Sequence, residues 1–122
     1  MALIEDKISN RNSIQAYESD HITINGKEYR GNLILSINKI ISPWNVSSID
    51  QIEANDLNDI FNLNPEVVLL GTGEKQIFPN VEIFGFFAQQ NVGLEVMNTG
   101  ALCRTFNILA AEDRNVVAAI LQ

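Results

Sequence analysis

The run Val67-Val68-Leu69-Leu70 constrains this chain more than any other stretch. Four consecutive apolar residues closed by Gly71 read as an interior strand, one whose two faces are both covered. The segments around it alternate in kind. Leu57, Ile60 and Phe61 sit at i, i+3 and i+4, which predicts a short helix capped by Asn55 or Asp56. Asn64-Pro65 ends it, because the residue before a proline disfavours helical backbone. After the Val67 strand, Pro79 marks the start of a second helix over NVEIFGFFAQQN. That segment is apolar almost all round, so a mostly buried helix is expected, with Gly85 at a close packing contact. Val92, Leu94 and Val96 alternate as a strand. Asn98 or Thr99 can then cap a third helix whose inward stripe is Ala101, Leu102, Thr105, Ile108 and Leu109. NVVAAILQ closes the chain as a last strand, with an Ala-rich helix as the alternative.

The first half is β-rich. Residues 1–13 are polar and weakly patterned, which suggests a loose arm ahead of a single α/β domain over 14–122. Ile22 and Ile24 alternate up to Asn25-Gly26, a pair suited to the two positive-φ positions of a type I′ hairpin turn. Leu33 to Leu35 predict a further strand, buried on both faces. Pro43-Trp44 breaks the pattern, with Trp44 packing across an element end. Strands alternating with helices imply a largely parallel sheet with helices packed on it. The N-terminal hairpin either extends that sheet or folds over one end.

At 122 residues the chain fits one domain with a core large enough to need no staple. The formal charge is −7, and no Lys/Arg run offsets it. Phosphate backbones and anionic lipid heads repel such a surface, so nucleic acid is not an expected partner. No stretch approaches the roughly 18 apolar residues of a membrane span, so direct membrane insertion is not expected either. MALIEDKISNRNS lacks the order of a signal peptide, and Glu5 and Asp6 do not suit a transit peptide, so the expected compartment is the cytoplasm. One cysteine and one histidine, His21, exclude an internal disulfide and a multi-histidine metal centre. No cofactor is expected.

Ligands of open α/β sheets bind beyond the carboxyl ends of parallel strands. Two turns occupy that position, Gly71-Thr72-Gly73 and Asn98-Thr99-Gly100. If their strands are parallel they share one rim, where backbone N–H groups suit a small anion and Lys75 and Arg104 add positive charge. Gly-Thr-Gly is short of a dinucleotide fingerprint, however, and two glycines after a strand commonly make only a tight turn. Cys103, one turn into its helix, is either a thiolate activated by the helix start and Arg104 or a small buried filler. Arg104 can pair with Glu95, and Glu112 with Arg114. His21 is expected to be exposed. No G-x-S-x-G, phosphate-binding P-loop or H-E-x-x-H motif occurs.

The ordered set Gly71-Thr72-Gly73, Phe78-Pro79, Glu95-Val96-Met97, Thr99, Ala101, Arg104 to Leu109 and Ala118-Ala119, with Gly31 and Pro43-Trp44 upstream, resembles a widespread family of small domains of unknown biochemical function. Its members occur in bacteria, archaea and eukaryotes, and a mitochondrial one is an assembly factor for respiratory complex I. Asn98, Leu102 and Phe106 depart from the residues common at those positions. The resemblance implies a three-layer α/β fold on a mixed sheet and a binding or assembly role without agreed catalytic residues. Two functions therefore stand side by side. One is a non-catalytic interaction or assembly module with protein partners, showing an exposed apolar patch that includes Trp44 or the phenylalanines of 84–87. The other is a small-anion or small-ligand enzyme using the rim of Gly71–Gly73 and Asn98–Gly100 with Lys75 and Arg104; a thiol-based activity at Cys103 stands behind both.

Overall fold

A computed structural model describes residues 11–122. Among these residues, eight strands form two sheets. The main sheet has the order β5-β4-β8-β6-β7, with β4 (Leu33–Ser36), β5 (Ile40–Ile41), β6 (Val67–Gly71), β7 (Gly93–Met97) and β8 (Val116–Ile120). β6 runs parallel to both β7 and β8, while β4 is antiparallel to β8 and β5. The sheet is mixed, as the resemblance implied. The Val67–Gly71 strand lies between two parallel neighbours, which is why its apolar run is unbroken.

The expected hairpin is present but neither extends the main sheet nor simply caps its end. β1 (Ile14–Tyr17), β2 (His21–Ile24) and β3 (Lys27–Arg30) make a separate antiparallel sheet of three strands. Asn25 and Gly26 have φ values of 53° and 83°, the two left-handed positions a type I′ turn requires. Ile14, Ile22 and Ile24 face the same core as the main sheet, so this second sheet is part of a covering layer.

Period-2 alternation sends the main sheet's side chains into two cores. Leu33, Leu35, Leu69, Val116, Ala118 and Ile120 join α3 (Thr99–Ala111) and the small sheet on one face. Ile34, Val68, Leu70, Val117 and Ala119 pack on the other face against Trp44, Ile52, a 3₁₀ turn (Ala54–Leu57), α1 (Asn58–Phe61) and α2 (Val81–Gln89). The result is three layers. Trp44 is buried there and its indole Nε1–H donates to the Asp56 carbonyl at 3.0 Å, so it belongs to no exposed patch.

Several local expectations shift. The first helix begins as the 3₁₀ turn, and the Asp56 carboxylate accepts from the Glu53 backbone N–H at 2.8 Å rather than capping from its own position. The inward stripe of α3 is Thr99, Leu102, Cys103, Phe106 and Ala110, while Ile108 is 60% exposed. α2 is not buried all round: Ile83 and Phe87 are inside, whereas Val81 is 85% exposed. A Cβ at Gly85 would meet nothing within 4 Å, so no close contact explains that glycine. His21 is half-buried between Asp20 and Glu28. Arg11 to Ser13, grouped above with a loose arm, are tied down. Arg11 bonds the Ala110 carbonyl and Asp113, Asn12 the Ser36 and Lys39 carbonyls, and the Ser13 N–H the Asn25 side chain. The rest of that arm, residues 1–10, lies outside the described residues.

Candidate functional site

The two turns of the sequence reading share one rim, because Gly71 pairs with Met97 in a parallel register. They are bound to each other. The Gly73 N–H donates to Thr99 Oγ1 at 3.1 Å, and the Thr99 N–H donates to the Gly73 carbonyl at 2.8 Å. The Thr72 N–H donates to the Met97 carbonyl at 3.0 Å. Asn98 caps α3, its Oδ1 accepting from the Ala101 N–H at 2.8 Å. These amides are thus engaged within the protein. Gly71 packs so tightly on the α3 start that a Cβ would lie 2.9 Å from Leu102 Cδ1, and Tyr17 Oη covers Gly100 at 2.5 Å from the corresponding point.

Thr72 has a further task. Its hydroxyl donates to the Lys75 carbonyl and accepts from the Ile77 N–H at 3.1 Å. Gln76 Nε2 donates to the Val96 carbonyl on the outer edge of β7 at 2.8 Å. The loop after Gly73 is therefore braced from within and pinned to the sheet edge. Lys75 is exposed.

That braced loop carries apolar side chains outward. Ile77 is 47% and Phe78 61% exposed, next to Val81 and Phe84 on α2. The Phe78 and Phe84 rings lie 6.5 Å apart and tilted by 46°, within the range of favourable aromatic pairs. The sequence reading reached Phe84 but missed Ile77 and Phe78. Their signal was two large apolar residues inside a segment otherwise marked as loop by Gly73 and Pro79.

Gly100, Cys103 and Arg104 come together elsewhere, in an open groove of about 450 Å³ between β1 and α3. Tyr17 and Asn107 line it too. Asn107 clasps the β1 backbone, accepting from the Ile14 N–H at 3.0 Å and donating to its carbonyl at 2.8 Å. Cys103 is 8% exposed, and burial pushes its thiol up to about 11 against a weaker opposing pull from Arg104. Burial thus favours the protonated thiol, which suits a filler better than an activated thiolate. Among the described residues Arg104 makes no salt bridge, and Arg114 pairs with Glu66 at 3.7 Å rather than with Glu112. No cluster of metal-ligating side chains occurs among the described residues, and no buried side-chain polar atom among them lacks a partner.

Fold and surface together define a small three-layer α/β domain that displays an apolar loop and helix edge beside a closed rim. The chain belongs to the family described as protein of unknown function DUF498/DUF598, which matches residues 14–121. It is 34% identical over 122 residues to a Francisella tularensis protein named 13 kDa major membrane protein, covering 99% of each chain. It is 34% identical over 110 residues to NADH dehydrogenase [ubiquinone] 1 alpha subcomplex assembly factor 3 of Xenopus tropicalis, covering 88% of this chain and 60% of that one. The chain thus spans less than two thirds of that relative. An NMR structure of a Xanthomonas campestris protein superposes with a TM-score of 0.83 at 33% identity, over 90% of this chain and 83% of the other. No helix among the described residues is long and apolar enough to cross a membrane.

Proposed function

We propose that this chain is a non-catalytic, assembly-type module that binds protein through the Ile77–Phe84 surface. The observation that carries this reading is the exposed Phe78–Phe84 pair with Ile77 and Val81 around it. Apolar patches of a few hundred Å² on a small domain are commonly binding surfaces. Here the sequence spends Thr72, Gly73 and Gln76 on holding the loop that makes one. Relatives named as assembly factors support a role in complex formation, and the bonds that occupy the Thr72, Gly73, Thr99 and Ala101 amides leave the small-anion reading less support. The paired turns then serve as the brace of a protein-binding loop.

The test is quantitative co-purification from the native cell with tagged wild type and Phe78→Asp. Loss of a stoichiometric partner from Phe78→Asp, with circular dichroism and melting unchanged, is the expected result. A partner retained in full would rule out this surface.

A further inference from the structure

The outer face of α2 narrows the kind of partner. Val81, Phe84, Gly85 and Ala88 stand at i, i+3, i+4 and i+7, and all four are exposed. A solvent-facing helix side ordinarily carries charge, yet the only charged residue in α2 is Glu82. The inner side is already used by Ile83 and Phe87. α2 is therefore apolar on two sides, and one side is uncovered. Gly85 sits in the middle of the uncovered stripe with open space outside it. Helix axes pack about 8–10 Å apart, closest where a small residue lies at the crossing, and the four positions span about 10 Å of axis, as one helix crossing needs. Phe84 adjoins the glycine in the chain, and the Phe78 ring lies 6.5 Å from that of Phe84.

Charge and area select among occupants. Glu82 within α2, Glu74 in the loop that leads to it, and Asp50, whose carbonyl accepts from Asn80 at the start of α2 at 3.4 Å, are all exposed. Lys75 is the one exposed cation of the 74–84 segment. A second copy would bring the same acids and another −7 to the contact. The four exposed side chains of the patch offer roughly 400 Å² of apolar surface, against roughly 800 Å² per partner in a stable interface. That suits one helix and falls short of a homodimer face. Anionic bilayers meet the same acidic rim.

Resting on the protein-binding reading above, we infer that α2 and the Ile77-Phe78 loop receive an amphipathic helix of another protein. Its apolar face crosses at Gly85, and its Lys or Arg flank meets Glu74, Glu82 and Asp50.

The test uses the full chain and three probes: an 18-residue Leu/Lys amphipathic helical peptide, its Leu/Glu counterpart, and phosphatidylcholine/phosphatidylglycerol vesicles. Amide shifts and titration calorimetry report binding. The Leu/Lys peptide should bind at least tenfold more tightly than the Leu/Glu peptide and shift residues 77–88. Gly85→Leu fills only the partner's space, so it should weaken binding at least tenfold without lowering the melting temperature. Glu74→Lys with Glu82→Lys should reverse the preference between the peptides. Equal binding of both peptides, indifference to Gly85→Leu, vesicle binding without peptide binding, or a dimer in sedimentation that Gly85→Leu dissolves would each overturn the inference. If a native partner is lost with Phe78→Asp yet kept with Gly85→Leu and the charge reversals, protein binding stands and the helix mode falls.

Discussion

Two glycines and one cysteine show how packing decides what a residue type means. An added methyl at Gly71 would sit 2.9 Å from Leu102 Cδ1, and Leu102 has no exposure and little room to turn. Gly71→Ala should therefore destabilise by roughly 1–3 kcal/mol in urea unfolding, as overpacked cores do. At Gly100 the obstructing atom is the hydroxyl end of Tyr17, which is 44% exposed and can swing outward. Gly100→Ala should cost under about 1 kcal/mol, partly offset by the better helix propensity of alanine. Equal losses at the two sites would refute this distinction. For Cys103 the sign follows from burial. The folded thiol holds its proton up to about 11, above the 9.0 of an unperturbed thiol. Between those values the native state keeps a proton that the unfolded chain has lost, so the thiol's contribution is intact below pH 9 and declines toward pH 11. Urea midpoints of wild type should fall across that window more than those of Cys103→Ala, and alkylation of native Cys103 at pH 7 should be slow. The sequence offered both fates for Cys103. Only the contacts of the α3 inner face separate them, because desolvation depends on neighbours that are remote in sequence.

Among the elements, strands were the most legible. Val67 to Leu70 and Leu33 to Leu35 announce buried strands because both of their faces are covered, which leaves no polar position to blur the run. Helix faces were less so. α3 carries Ile108 outside and Thr99 inside, so its hydrophobic pattern pointed away from the true stripe. Thr99 is turned inward by its bond with Gly73, a contact set by the parallel register of β6 and β7. α2 misled for a different reason: apolar residues on two sides read as full burial, when one side faces solvent. The groove between β1 and α3 was invisible in sequence, since Asn107 and Ile14 are far apart in the chain. Their double hydrogen bond leads to a prediction at this scale. Asn107→Leu leaves the Ile14 N–H and carbonyl without that partner, at about 1–3 kcal/mol for a group whose bond is lost. It should lower overall stability by that order and speed amide exchange of Ile14 selectively. Unchanged exchange at Ile14 would show that β1 is held by its pairing with β2 alone.

For the molecule as a whole, the question is whether its two cores melt together. β8 lies at the centre of the main sheet with all five residues buried, and it serves both sides: Val116, Ala118 and Ile120 on one, Val117 and Ala119 on the other. β4 and β6 divide their residues in the same way. Lifting the α1–α2 layer away would bare Ile34, Val68, Leu70 and Val117, at roughly 1.5–3 kcal/mol for each such side chain returned to water. That sum rivals the whole stability of a domain this size, so a half-stripped sheet has no range of conditions in which to accumulate. Nature has placed one probe on each side. Trp44 reports on the core under α1 and α2, and Cys103 on the core under α3. Urea unfolding followed by Trp44 fluorescence and by pulse alkylation of Cys103 should give one midpoint and one slope. Two separated transitions would mean that the covering layers detach independently. The brace of the 74–79 loop, which joins β6, β7 and α3 through Thr72, Gln76 and Thr99, would then hold the binding surface in place only while the α1–α2 side stayed folded.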